Sequence, residues 1–421
     1  MESMRDITKR SLPVSVDREV GRVRRYRRAW DSMEGVAFVS GHGVSRLGCS
    51  AWVHGLRTHQ TDNTCRQNAI RRLVMSHALL HPVSRPHVLG LGTAGLDFLA
   101  VVSSFPQPDT KIRTSEFKML GGGNCANTLT GLSRLQIASS LVSKCGDDVN
   151  GNQIAAELEA DGVNTRYLVR KAGMYSPFTY VIVDAQENTR TCIHTPATED
   201  LLLSDLAPEM LDGVDLVHLD GRHTTAAIQM AQWAVDRAIP VALDVERDRP
   251  GIRDLIPLVD FIFTNRQYPG IFAPTEATLT DQMQALLRCG RATSVTTTLG
   301  SDGAALLCKA TTIKPNTPNS VTQATSAITT ELLHDEQLVL YRCPAFPIPD
   351  GKAMDTTGAG DAFIAGAIAG IVSGSPWEKV LALGSFVASQ KIQQLGARSG
   401  LPFRAQVPSE LTPTGPHSGH S

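Results

Sequence analysis

The residues from about 87 to 402 predict a three-layer α/β/α fold with a small antiparallel sheet set apart from it. Three observations carry this reading. Short apolar runs alternate with segments of helical period, and the helices that separate the runs imply parallel pairing with right-handed crossovers. Two stretches, Lys111 to Met119 and Phe178 to His194, break that alternation and read as strands of a separate sheet.

His87 to Thr93 reads as a buried strand, and Cys125 to Leu135 as the helix after a Gly-rich turn. Ile137 to Lys144 is the next strand, ending at Cys145-Gly146-Asp147-Asp148. Asn152 to Ala160 places Ile154, Ala155 and Leu158 at helical spacing, and Gly162 stops it. Strands follow at Leu216 to Leu219, Val241 to Val245, Phe261 to Thr264 and Val295 to Leu299, with helices at Thr225 to Ala238 and Thr278 to Arg288 between them. In the separate sheet, Phe178 to Val183 turns through Asp184-Ala185-Gln186-Glu187-Asn188 into Thr189 to His194. Near the end, Ala362 to Val372 is an apolar helix, and Ser375-Pro376-Trp377-Glu378 reads as a capping box leading into a helix from Lys379 to Gln394 that Gly396 ends. A ligand on such a sheet is expected outside the carboxyl ends of the strands.

The chain has 421 residues, enough for a large core. A charged fraction of 19% and a formal net charge of -1 supply no overall field to gather nucleic acid or an anionic membrane. No apolar run approaches the length of a membrane span. The eight Cys include no C-x-x-C pair and suit a reducing compartment; Cys125 and Cys145 read as small core residues.

Residues 1–86 are rich in arginine, including Arg22, Arg24, Arg25, Arg27, Arg28, Arg71 and Arg72. They read as a targeting or flexible leader, placing the protein in the cytoplasm or, if the leader is an address, in a plastid or mitochondrion. Asp17, Glu19, Asp31 and Glu34 depart from the acid-poor composition of targeting peptides. Residues 311–337 read as a polar insertion and 403–421 as a flexible tail.

The most informative stretch is Asp355-Thr356-Thr357-Gly358-Ala359-Gly360-Asp361-Ala362-Phe363. The first turn of a helix leaves N–H groups unpaired at the positive end of its dipole, a natural seat for phosphate oxygens. Gly358 and Gly360 keep side chains out of the way, and Asp361 either caps the helix or takes the proton of an attacking hydroxyl. Upstream, Leu89 to Asp97 sets small residues and then an acid after the first strand, a carboxylate that is either a turn residue or an acceptor for substrate hydroxyls.

Asp355 to Phe363 resembles the C-terminal signature of the ribokinase-like, or PfkB, family of carbohydrate and nucleoside kinases, and Gly121-Gly122-Gly123-Asn124-Cys125-Ala126-Asn127 resembles its Gly-Gly-x-x-x-Asn signature. The resemblance covers about residues 87–402 and implies a ribokinase-like fold whose small antiparallel sheet, from about 108–122 and 175–196, is a lid and a homodimer contact. It implies ATP-dependent phosphorylation of a primary hydroxyl on a sugar or sugar-like compound, with Mg2+ and, in several members, K+. Asp361 is then the catalytic base and Gly358, Ala359 and Gly360 the anion hole. Asp97, Gly122, Gly123 and Asn127 bind substrate, Asn124 being a further contact, and Asp355 and Thr357 surround the monovalent cation.

At the nucleotide end, Thr297 to Ala304 resembles the family's Thr-x-Gly-x-x-Gly segment, which implies nucleotide contacts for Thr298, Gly300 and Gly303 alongside Asn265. The family's Asn-x-x-Glu is broken here, because Tyr268 stands where the metal-ordering Glu belongs. No P-loop motif is present. The acceptor stays open between a sugar and a nucleoside. The basic leader and Tyr268 keep a second class in view, a non-catalytic scaffold of the same fold in an organellar complex. A zinc enzyme is disfavoured, since His218 and His223 lack a third ligand.

Overall fold

The computed structural model describes residues 85–413 apart from residue 188, residues 311–324 and residues 334–336. The arginine-rich leader and most of the polar insertion lie outside the described residues.

Among the described residues, fourteen strands form two sheets. The large one takes β1 (His87–Leu91), β4 (Ala138–Gly146), β5 (Asn164–Lys171), β8 (Leu216–Leu219), β9 (Val241–Val245), β10 (Phe261–Asn265), β11 (Ser294–Thr298), β12 (Ala304–Lys309), β13 (Thr329–Leu333) and β14 (Leu338–Cys343). Their order is β13-β14-β12-β11-β10-β9-β8-β1-β4-β5. Every pairing from β11 to β5 is parallel, and the β12, β14 and β13 edge is antiparallel. The chain runs one way from β1 to β4 and β5 and the other way from β8 to β11, so the crevice where the order reverses opens between β1 and β8.

Successive strand residues point to opposite faces, and two cores result. Val88, Leu141, Leu216, Ala242, Phe263 and Leu306 join the layer built by α1 (Asn124–Arg134), α2 (Val149–Ala160), α5 (Ala359–Val372) and α6 (Trp377–Lys391). Their neighbours Leu89, Val142, Val217, Leu243, Ile262 and Leu307 join α3 (Thr224–Asp236) and α4 (Leu279–Leu287) on the other face. The three-layer expectation holds because a parallel sheet needs both faces covered.

The second sheet orders β3 (Glu116–Gly122), β2 (Gly95–Val102), β6 (Phe178–Asp184) and β7 (Thr189–Thr195) as β3-β2-β6-β7. Its outer pairings are antiparallel, as expected, but β2 and β6 pair in parallel at the centre. The sequence reading passed over β2, taking Leu89 to Asp97 as a strand and turn. It also missed β5 and β14; β5 is an edge strand whose charged residues obscure the alternation.

Two expectations about the C-terminal segments change. The capping box at Ser375 does not form, since Pro376 is the N-cap and makes no side-chain cap. Ser375 instead closes the preceding helix, its N–H donating to Gly370 O, with Gly374 in the left-handed region at φ 70. Residues 403–413 are not a loose tail, because Val407 and Leu411 are buried and Lys379 Nζ donates to Thr412 O at 2.8 Å. Within the predicted insertion, β13 adds a strand to β14.

Helices α5 and α6 touch backbone to backbone. A Cβ on Gly366 would lie 2.7 Å from Leu383 O and 2.8 Å from Gly384 Cα. Gly366→Val is therefore expected to cost about 1–3 kcal/mol through overpacking, checked by urea unfolding followed by circular dichroism.

Candidate active site

At the start of α5, Gly358 is the N-cap with φ 73, and a Cβ there would lie 2.9–3.0 Å from Ala397. The N–H of Ala359 donates to Thr356 O at 3.2 Å, so that amide is spent within the turn. The amides of Gly358, Gly360 and Asp361 donate to no described group, and a Cβ on Gly360 would meet no protein atom within 4 Å. This end of α5 therefore presents bare main-chain donors at the positive end of a 14-residue helix.

Asp361 lies in the first turn of α5 and is buried. Its Oδ2 accepts from Asn127 Nδ2 at 2.8 Å. Burial pushes its pKa up to about 7, opposed by the Asn127 hydrogen bond and aided by the negative charges of Glu246, Asp220 and Asp97. Asn127 projects from α1, whose N-cap Gly123 has φ 92 and sits where a Cβ would lie 2.6 Å from Thr93 O.

The other side of Asn127 is held by Arg398, a residue that sequence reasoning did not single out. Arg398 Nε donates to Asn127 Oδ1 at 2.9 Å and its Nη2 to Gly122 O at 2.7 Å. The guanidinium is buried and needs Gly121, whose Cβ would fall 2.3 Å from Arg398 Nη1. Asp97 lies on β2 against Gly122 of β3, where a Cβ would come 2.4 Å from its carboxylate. Burial raises Asp97 to about 6, against the lowering pull of Arg398 and a hydrogen bond from Thr179. The predicted substrate residues Asp97, Gly122, Gly123 and Asn127 thus converge on Asp361, although they come from two strands of the small sheet and from the start of α1. Asn124 instead bonds the buried carboxyl of Asp244.

The nucleotide-end residues sit on the same edge of the large sheet, where Asn265 and Thr298 end β10 and β11 in register. Asn265 is largely occupied, since its Oδ1 accepts from the amides of Gln267 and Tyr268 at 3.1 and 3.0 Å. Thr298 Oγ1 donates to Thr264 O at 3.3 Å. Gly303, with φ 90, packs against Cys343 O and serves the β11–β12 turn, whereas Gly300, with φ 65, has open space around it. Tyr268 does not enter the cleft, because it is buried in the apolar layer with Phe272.

Residues 86–327 and 340–404 match the family model described as pfkB family carbohydrate kinase. This chain belongs to that family. It is 23% identical over 324 residues to ketohexokinase from Mus musculus, covering 72% of this chain and 95% of the relative. Ribokinase from Bacillus subtilis is 23% identical over 325 residues, covering 76% and 98%. The structure of Arabidopsis thaliana ribokinase complexed with ribose and ATP superposes with a TM-score of 0.63 at 23% identity, covering 78% of this chain and 99% of that one. The fold is ribokinase-like, and the chain is a sugar or nucleoside kinase of the PfkB family.

For this PfkB kinase the monovalent-cation site expected at Asp355 and Thr357 does not fit the residues present. The carbonyl oxygen of Asp355 accepts from Lys391 Nζ at 2.7 Å, and that fully buried ammonium lies 4.0 Å from Asp355 Oδ2. The Asp355 carboxylate also accepts from Thr357 Oγ1 at 2.7 Å and from the amide of Gly396 at 2.7 Å. A positive charge and two further donors from within the chain already serve those oxygens. Lys391 was not foreseen, since a lysine at helical spacing near the end of α6 reads as solvated. Among the described residues no group of three or more His, Cys, Asp or Glu could hold a metal ion.

Arg398→Met would leave two buried acceptors, Asn127 Oδ1 and Gly122 O, without their donor. The expected loss is about 1–3 kcal/mol of stability for each orphaned group, read from denaturant midpoints, and turnover should fall more than nucleotide affinity does.

Proposed function

We propose that this cleft transfers the terminal phosphoryl group of ATP to a primary hydroxyl of a sugar or sugar-like acceptor, with Asp361 as the general base. The observation that carries the reading is the pairing, within one helical turn, of bare amides at Gly358 and Gly360 with the buried carboxylate of Asp361. Asp361 takes the hydroxyl proton as the acceptor oxygen forms its bond to phosphorus and the bond to the ADP oxygen breaks. The amides face the charge on the transferring group, and Asp97 with Asn127 aims the hydroxyl. Magnesium, when bound with the nucleotide, neutralises phosphate charge.

The lid supports the same reading. Its inner face carries Asp97 and Leu99, and Arg190 of β7 donates to Thr356 in the turn before α5, so lid and anion turn are in contact. Excluding water there protects the activated phosphoryl group from hydrolysis. Its outer face exposes Phe117, Met119, Tyr180 and Ile193, with Phe98 stacked on Phe117 and Phe178 edge-on to Phe98 and Tyr180. An apolar patch of this kind suits a second copy of the chain, giving a homodimer through the lid.

Asp361→Asn is expected to keep the fold and ATP binding while losing about 10²- to 10⁴-fold in kcat; ADP release coupled to an acceptor panel of sugars and nucleosides, with titration of ATP binding, checks both and identifies the acceptor. In the wild type, log kcat/KM should rise with pH and level off above about 7, because only ionised Asp361 accepts a proton. Stability moves the other way. The folded carboxyl holds its proton up to about 7 against an ordinary value of 3.8, so this group's contribution falls as pH rises between those values and the Asn variant lacks that slope. Phe117→Asp with Ile193→Asp should convert a dimer to a monomer by light scattering, and an unchanged mass would rule the lid out as the contact.

A further inference from the structure

At the crevice between β1 and β8 lies a cavity of about 290 Å³ that the phosphotransfer reading leaves unused. Thr93, Lys144, His194, Arg222, His223 and Arg249 line it, among others. It borders the acceptor side of the cleft, since Thr93 donates through both its amide and its hydroxyl to Asp220, at 2.7 Å each. Asp220 in turn faces Asp361 electrostatically.

The cations around this cavity differ in their partners. Lys144 is paired with Glu199 and with Asp205, the latter at 3.0 Å, and His223 Nδ1 meets Asp200 at 2.9 Å. The guanidinium groups of Arg222 and Arg249 have no hydrogen bond or ion pair among the described residues. The Asp220 carboxylate beside them is already taken by Thr93, by the amide of Cys125 at 3.3 Å and by the amide of Arg222 at 3.0 Å. Glu246 is exposed and attracts Arg249 without an ion pair. The two arginines stand close enough that both disfavour the charged form of His194, and Arg222 disfavours the charge on Arg249. Two half-buried like charges beside one cavity repel each other unless an anion lies between them.

We propose that Arg222 and Arg249 form a phosphate-binding subsite at the acceptor end of the cleft. The paired forks of two guanidiniums match a tetrahedral oxyanion, which a lysine pair would hold less directionally. The inference rests on the phosphotransfer reading only for the source of the phosphate. That source is either a phosphate already carried by the acceptor or the terminal phosphates of the nucleotide. The cavity walls come from β4, from the segments that follow β1, β8 and β9, and from lid strand β7, whereas Asn265 and Thr298 end β10 and β11, so the location favours the acceptor.

The test uses the full chain, its Arg222→Gln and Arg249→Gln variants and the double variant, with far-ultraviolet circular dichroism to show that each folds. Inorganic phosphate, against chloride of matched ionic strength, should raise the wild-type melting temperature saturably, and the double variant should lose that response. This arm needs no turnover, so it stands even if no acceptor is phosphorylated. Kinetics with neutral sugars and nucleosides and with their phosphate monoesters separates the sources. A rise of about tenfold or more in KM for a phosphorylated acceptor, the loss expected for a missing charge-assisted bond, assigns the subsite to the acceptor. The same rise in KM for ATP with a neutral acceptor assigns it to the nucleotide. Either result supports the subsite. An unchanged phosphate response together with unchanged KM values in the double variant overturns it.

Discussion

One side-chain amide holds the centre of this protein together. Asn127 stands between a buried carboxylate and a buried guanidinium, and the chemistry of its neighbours leaves it a single orientation. Arginine can only donate, so the oxygen of Asn127 must face Arg398 and its nitrogen must face Asp361. Asp361 is thereby held by one oxygen, and the other has no hydrogen-bond donor among the described residues. The same guanidinium grips the carbonyl of Gly122 and lowers the pKa of Asp97, which burial alone would push higher still. One buried cation sets Asn127, the glycine turn and the Asp97 carboxylate at once.

Close backbone approach is what makes that arrangement fit. Gly121 leaves room for the guanidinium and Gly122 for the carboxylate of Asp97, so both are demanded by the protein itself before any ligand is considered. Gly360 is different, because its missing side chain would touch nothing in the protein. Its bareness keeps the end of α5 open. The carboxylates around Asp361 also act together, since Glu246, Asp220 and Asp97 each disfavour a further negative charge and help to keep a proton on Asp361 up to near-neutral pH.

Much of this was legible in the residues. Gly358 to Asp361 and Gly121 to Asn127 are local patterns in which small residues and a polar terminus occur at fixed spacing, and both fall at helix starts as the spacing requires. The parallel core was legible because apolar strands and helices alternate. Individual partners were less so. Asn265 looked free to meet a nucleotide, but its oxygen closes a turn of its own chain. Tyr268, in the position of a metal-ordering acid, turns into the apolar layer beneath the sheet. Asp355 and Thr357 looked like cation ligands until the folded chain brought a lysine ammonium onto the same oxygens.

By itself the sequence determined the alternation of strands and helices in the parallel core and the two glycine-led helix starts, because each of these depends on residues within a few positions of one another. The tertiary structure alone decided which buried charges meet. Arg398 and Asn127 are 271 positions apart, and Asn127 and Asp361 are 234 apart. The cost of burying a charge is set by whatever the whole fold brings within hydrogen-bonding reach, and no local pattern records that.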